Sequence, residues 1–267
     1  MKEGREEKRK RLMEQSMATV SEAFSSPDHA IVQAINTYKE IEKIRGIIHE
    51  RLEEWYGIYF PELKTGGYDT YADFALAFGS VDELDDAKAE QILGEDGKKI
   101  VKEINANKMR PKLEPGEYDA IKALADQQKS LSKLQESLDS FIKDGVAKTM
   151  PNFSYLVDYK IAAEMLAKAG SLERLATMPA STIQLLGAEK ALFKHLKFGS
   201  RPPKYGVLFK LPQFGSANKK QKGKLARAYA TKLCIAARAD AYTQRFIAKE
   251  LKESLDKTSK KIMEECK

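Results

Sequence analysis

Between His29 and Phe60 the apolar positions Ile31, Ile35, Tyr38, Ile41, Ile44, Ile48, Leu52, Trp55 and Tyr59 recur at steps of three and four, the period of one helix face. A stripe kept over that length commits the segment to a helix of about 30 residues, ~45 Å long at ~1.5 Å per residue. Pro61 ends it, and Lys64-Thr65-Gly66-Gly67 reads as a turn. A second long helix follows from Glu117 to about Asp144, where Leu124, Leu131 and Leu138 fall at seven-residue intervals and Ile121, Leu134, Phe141 and Ile142 widen the stripe. Two long helices separated by a compact insertion predict an antiparallel hairpin with the insertion, residues 64–115, at its tip. Leu124, Leu131 and Leu138 are candidates for self-association through a coiled coil. The alternative is that the two stripes cover each other within one chain.

Strand signals are nearly absent, so the expected fold class is all-α: the hairpin with its helical insertion, then a compact basic helical domain. The predicted organisation is a charged arm or stub of helix over 1–26, the hairpin over 27–149 and the final domain over 150–267. Ser25-Ser26-Pro27-Asp28 marks a stop and a new helix start. Shorter helices are expected around Tyr68–Phe78, Val81–Leu93 and Lys98–Ala106. In the last domain Tyr155 to Ala169 reads as one helix closed by Gly170, and Lys219 to about Glu265 as one long helix without Pro. Tyr205 to Phe209 could be extended, with no evident partner.

Charge is segregated along the chain. The net charge is +7 overall, yet residues 151–267 hold 23 Lys+Arg against 10 Asp+Glu, a net +13, and residues 1–150 hold 23 against 29, a net −6. Within the basic part, Gly187 to Lys249 contains 15 basic residues and two acidic ones, Glu189 and Asp240. Such a field concentrates polyanions and predicts salt-sensitive association with nucleic acid. No apolar run approaches the roughly 20 residues needed to cross a bilayer, so no membrane partner is expected. Met1 to Leu12 is a mixed run of Lys, Arg and Glu, not a secretory signal, which predicts an intracellular protein. Cys234 reads as a small buried hydrophobe and Cys266 lies at the frayed end, so no disulfide is expected.

Catalytic chemistry is poorly supplied. His29, His49 and His195 have no second His or Cys at metal-ligand spacing. No nucleophile elbow, Walker loop or Gly-x-Gly-x-x-Gly is present. The expectation is a non-enzyme with no metal and no cofactor.

Met178-Pro179-Ala180-Ser181-Thr182-Ile183-Gln184-Leu185-Leu186-Gly187-Ala188-Glu189-Lys190-Ala191-Leu192-Phe193-Lys194-His195-Leu196-Lys197 closely resembles the signature of the Nop domain. Pro202-Pro203-Lys204-Tyr205-Gly206-Val207-Leu208-Phe209, Gly223-Lys224-Leu225-Ala226-Arg227 and Ala236-Ala237-Arg238 extend the match. So does Glu50-Arg51-Leu52-Glu53-Glu54-Trp55-Tyr56-Gly57-Ile58-Tyr59-Phe60-Pro61 in the hairpin. The resemblance, to the archaeal core proteins of box C/D ribonucleoproteins and their nucleolar and splicing relatives, spans residues 27–250. It implies a scaffold whose Nop domain recognises a kink-turn guide RNA together with its small bound ribosomal-like protein, and whose coiled coil dimerises. It also implies fibrillarin as the partner that methylates ribose 2′-hydroxyls, and a cytoplasmic location, or a nucleolar one in a eukaryote. The chain departs from the family at the front, where 26 residues precede the hairpin in place of a fibrillarin-binding domain. Either the chain is a fragment, or that domain is supplied separately, or this member does not recruit the enzyme directly.

The residues also suggest roles on their own. Gly187, Ala188, Glu189 and Lys190 would open a helix whose unpaired amides could receive a phosphate, or Gly187 and Ala188 could serve close packing. Lys194, His195 and Lys197 continue that surface, His195 as a stacking or hydrogen-bonding group or simply an exposed side chain. Arg201, Lys204 and Tyr205 combine cations with an aromatic that either stacks on RNA or joins the core. Lys220, Lys224 and Arg227 form a stripe suited to backbone phosphates, or a merely solvated face.

Overall fold

The computed structural model describes residues 4–25, 27–107 and 109–264. These residues form helices and short turns of 3-10 or π type, with no strand among them. In order the α-helices are α1 (Arg5–Ser25), α2 (Pro27–Tyr56), α3 (Tyr68–Ala77), α4 (Asp86–Leu93), α5 (Gly97–Ala106), α6 (Pro115–Thr149), α7 (Pro151–Leu156), α8 (Tyr159–Ala169), α9 (Leu172–Thr177), α10 (Ala180–Leu185), α11 (Glu189–Phe198), α12 (Gln213–Ser216), α13 (Lys219–Arg238) and α14 (Ala248–Glu264). The chain forms two compact units, one of residues up to Asn36 together with those from Ser140 onward, the other Thr37–Asp139. The division falls inside α2 and α6, whereas the sequence reading places its boundaries at 26/27 and 149/150.

In the Thr37–Asp139 unit, α2 and α6 run antiparallel. Arg45 donates to Gln135 Oε1, and Tyr59 Oη donates to Glu117 Oε2 at 2.8 Å, so position rises on one helix as it falls on the other. Leu52, Tyr56, Phe60, Phe74, Phe78, Ile104, Ile121 and Ala125 make the core. Tyr56 stacks on Phe60 with centroids 4.6 Å apart, and its buried hydroxyl donates to the Phe78 carbonyl at 2.7 Å. That bond satisfies the polar end of a ring otherwise surrounded by hydrocarbon. Arg110 closes the insertion. Its guanidinium donates to the carbonyls of Tyr59 at 2.9 Å and Ile104 at 2.6 Å and pairs with Glu62 Oε1 at 3.1 Å.

Polar groups also line the contact between α2, α3 and α6. Arg45 pairs with Asp69 at 2.8 Å, and Ser132 Oγ donates to the same carboxylate oxygen at 2.9 Å. His49 is buried, stacked on Tyr68 with centroids 4.3 Å apart and edge-on to Tyr71. Burial lowers its pKa, against the opposing pull of Glu53 and Glu50. The unfolded chain then takes up a proton before the folded one does. The His49 contribution is present in full above the unfolded value, about pH 6.5, and fades as pH falls through the folded value. Thermal melts at about pH 7.5 and 5.5 are expected to show a drop in Tm that shrinks in His49→Gln. An identical drop in the variant would assign the acid sensitivity elsewhere.

In the other unit the starts of α2 and the end of α6 approach closely, since a side chain on Gly145 would meet Ile31 Cγ1 at 2.9 Å. Here α13 is the central helix and packs against α7, α9, α10 and α14. Its inward positions Leu225, Ala226, Tyr229, Ala230, Leu233, Ala236 and Ala237 are buried, and alanines at this spacing allow neighbouring helices to come near. Cys234 is buried and free, while Cys266 lies outside the described residues.

Three stretches expected as continuous helices are broken. Val81–Leu93 divides at Leu84-Asp85 into a 3-10 turn, Val81–Glu83, and α4, which Asp85 caps by accepting from the Lys88 amide at 3.0 Å. The stretch from Tyr155 to Ala169 divides at Val157-Asp158, where Asp158 caps α8 by accepting from the Lys160 amide at 2.9 Å. The C-terminal helix divides at a π turn, Ala239–Thr243, followed by Gln244 at φ 52°. Asp240 stands in this turn. Its carboxylate accepts from the Asn152 amide at 3.0 Å, Asn152 Nδ2 at 2.7 Å and the Phe153 amide at 2.9 Å, capping α7. Asn152 in turn donates to the Arg245 carbonyl and accepts from the Ile247 amide at 2.7 Å. Burial raises the Asp240 pKa, and these donors pull it the other way.

Candidate nucleic-acid interface

The basic segment from Gly187 onward begins as a tightly fitted corner. Gly187 has φ 91°, and a side chain there would meet Val207 Cγ2 at 2.6 Å, so the position admits only glycine for reasons of both conformation and space. Its amide donates to Glu189 Oε1 at 2.6 Å, and the Ala188 amide donates to the Leu185 carbonyl at 2.8 Å. This corrects the expectation of unpaired amides at Gly187 and Ala188. The Glu189 carboxylate occupies the place where a phosphate would have met Gly187. Thus both acidic residues of the basic segment have structural work, Glu189 at this corner and Asp240 at the α7 cap, and the surface beyond them is cationic.

Helix α11 buries none of its residues. Lys190, Lys194 and Lys197 are exposed along it, and so are Phe193 at 68%, Leu196 at 70% and Phe198 at 69%. Three large apolar side chains, interleaved with lysines, are thus left uncovered by this unit's own core. Lys197 Nζ lies 5.4 Å from the Phe198 ring centroid. Gly199 closes the helix in the left-handed conformation, its amide bonding to the His195 carbonyl at 2.8 Å. His195 is half-buried and its Nδ1 meets the Ser200 carbonyl, which makes Nδ1 the donor.

The loop after α11 brings the second group of candidates together. Arg201 and Lys204 are exposed and Tyr205 is half-buried. The extended piece expected at Tyr205 to Phe209 is short: the Gly206 amide bonds to the Gln184 carbonyl at 3.1 Å and the Val207 amide to the Leu186 carbonyl at 2.8 Å, after which Val207–Lys210 turns as 3-10 helix. Its partner is the end of α10. Lys220, Lys224 and Arg227 are exposed on the first turns of α13, a helix that starts with a full capping box between Asn218 and Gln221.

On the hairpin, Leu124 packs against the core of its unit and Leu131 and Leu138 are half-buried. Exposed apolar side chains there include Ile44, Ile47, Leu134 and Phe141, at 45%, 60%, 47% and 50%. The sequence reading named neither these isoleucines nor Phe193, Leu196 and Phe198 as contacts. The lysine pattern drew attention to α11, whereas its apolar residues fit a core stripe equally well until the packing is known. Among the described residues no three His, Cys, Asp or Glu side chains are grouped as metal ligands, and no helix is long and apolar enough to cross a membrane.

Fold and surface together define an all-helical protein with a basic unit that presents an uncovered, lysine-bearing apolar helix. The chain belongs to the Nop family: the family described as Nop, snoRNA binding domain, fibrillarin, matches residues 37–262. An uncharacterized NOP5 family protein of Methanocaldococcus jannaschii is 37% identical over 237 residues, covering 88% of this chain and 57% of that protein. Nucleolar protein 58 of Schizosaccharomyces pombe is 36% identical over 220 residues, 82% of this chain and 43% of its own. Nucleolar protein 56 of Homo sapiens is 34% identical over 235 residues, 86% of this chain and 40% of its own. The chain thus spans from 40% to 57% of these relatives' lengths. Among solved structures, a chain of the crystal structure of a fibrillarin/Nop5p complex shares the fold with TM-score 0.54 at 23% identity, over 95% of this chain and 77% of that one.

Proposed function

We propose that this protein is a non-catalytic RNA-binding scaffold of a box C/D-type ribonucleoprotein, holding a kink-turn guide RNA together with its small bound protein and supporting 2′-O-methylation by a partner methyltransferase. The observation that carries this reading is α11, where exposed lysines suit phosphates and Phe193, Leu196 and Phe198 suit a protein surface on the same short helix. A ligand that offers both phosphate and apolar protein surface satisfies the whole helix, and an RNA alone satisfies half of it. Family membership and the names of the nucleolar relatives support an RNA-containing particle. The contacts assigned to RNA are Lys190, Lys194, His195, Lys197, Arg201, Lys204, Tyr205, Lys220, Lys224 and Arg227, with Gly187, Ala188 and Glu189 shaping the corner from which α11 projects. The methyltransferase in this reading is fibrillarin, the protein whose name appears in the family description.

The test is binding to a kink-turn RNA with and without its small protein. Affinity is expected to rise at least about tenfold, about 1.4 kcal/mol, when that protein is present. Equal affinity in both cases would sink composite recognition. Self-association is part of the proposal, supported by exposed Ile44, Ile47 and Leu134 on the hairpin. Light scattering on the whole chain at micromolar concentration is expected to return twice the chain mass, and a monomer would count against bridging of two RNA sites.

A further inference from the structure

We propose that Phe209 and Tyr205, flanked by Lys204 and Lys222, form a platform that stacks one unpaired base of the bound RNA. The proposal rests on the RNA-scaffold reading above, which already includes Lys204 and Tyr205, and adds to it Phe209 and Lys222 and the stacking role of the paired rings. Phe209 is 49% exposed while its neighbours in the same turn, Val207, Leu208 and Leu211, are buried. The turn is therefore anchored and the ring is held at the surface. Tyr205 lies parallel to it, centroids 5.1 Å apart and planes 9° from each other. Phe214 meets both rings edge-on and continues inward to Tyr229, so a row of aromatic side chains runs from the core to the exposed ring.

The loop between the two stacked rings is fixed as well. A side chain on Gly206 would meet the Leu186 carbonyl oxygen at 2.0 Å, so this backbone fits against α10 only as glycine. A base that meets such a surface encounters a rigid stack, with little ordering of side chains left to do. Lys222 Nζ lies over the Phe209 ring, 5.0 Å from its centroid, and the Lys204 stem passes close to the start of α13, where a side chain on Gly223 would touch its Cδ at 3.6 Å. The carboxylate of Glu164 is engaged by Lys210 at 2.6 Å. A cation over a ring at an exposed site is a weak contact, readily exchanged for a base whose phosphate the same lysine then meets. Aromatic rings with an adjacent lysine fit sequence-tolerant stacking.

The experiment compares the whole chain with Phe209→Leu and Phe209→Trp, each checked for unchanged helicity. Two RNAs are used: a kink-turn duplex without unpaired extensions, and a short oligoadenylate carrying 2-aminopurine, whose fluorescence is quenched on stacking. Phe209→Leu is expected to weaken oligoadenylate binding about tenfold, the weight of one stacked base, and to remove the quench, with kink-turn affinity unchanged and both oligoadenylate signals kept in Phe209→Trp. Oligoadenylate affinity and quench in Phe209→Leu equal to those of the unsubstituted chain would overturn the platform. An equal loss on both RNAs would overturn it too, as a general effect on the surface. Failure of the unsubstituted chain to bind the kink-turn duplex, with or without the small protein, would overturn the scaffold reading instead, and the oligoadenylate comparison would still decide the platform.

Discussion

Asp240→Ala is expected to destabilise the unit that contains the basic surface by about 3–5 kcal/mol, because it strands several buried hydrogen-bond donors at once. Asn152 is fully buried and Asp240 is 6% exposed, so water cannot replace the lost carboxylate at the Asn152 and Phe153 amides. The damage would spread along the chain. Asn152 also holds the Arg245 carbonyl and the Ile247 amide, which fix the approach to α14. Denaturant unfolding should show a lower midpoint with increased hydrogen exchange in α7 and at the start of α14. Asp240→Asn, which keeps one acceptor oxygen but turns an amino group toward a donor, should lie between. A stability for Asp240→Ala within about 0.5 kcal/mol of the unsubstituted chain, the range of ordinary surface changes, would show that the carboxylate does not hold this junction together.

The second large effect is expected at α11. Replacing Phe193 and Leu196 together by Ala should leave folding nearly unchanged, since both are about two-thirds exposed or more and touch no core. It should remove most of the gain in RNA affinity that the proposed function expects from the small kink-turn protein, a loss of at least about tenfold and on the order of 2 kcal/mol for apolar anchors of an interface. Lys194→Ala with Lys197→Ala gives the contrasting outcome. Phosphate contacts act on RNA binding whether or not the partner is present, so affinity should fall in both cases and the salt dependence should become shallower. If the apolar pair and the lysine pair behave alike, α11 does not divide its faces between protein and RNA.

The long helices were legible because a period of three and four maintained over some thirty residues has only one regular conformation that places those side chains together. The charge segregation was equally legible, since it is a property of composition along the chain. The family signature between Met178 and Lys197 pointed to the corner and the helix that follow. What that signature could not convey is the service of Glu189: a carboxylate two residues after a glycine reads as a first-turn helix acid, and only the fold shows it closing on the Gly187 amide. The uncovered state of Phe193, Leu196, Phe198 and Phe209 was hidden for a similar reason. Exposure depends on what packs nearby, and an apolar residue at helical spacing is the same letter on a core face as on a docking face.

By itself, then, the sequence determined the helical class, the paired stripes, the basic C-terminal half and the membership in a family of RNA-particle proteins. Local period, charge and motif order are written in neighbouring residues. The tertiary structure alone decided where the long C-terminal helical stretch is interrupted and which amides at the Gly187 corner are already taken. It also decided which rings reach the surface. Each depends on groups far apart in the chain, such as Asp240 meeting Asn152 and Gly206 meeting Leu186, and the energy of such a contact exists only after the chain has brought both ends together.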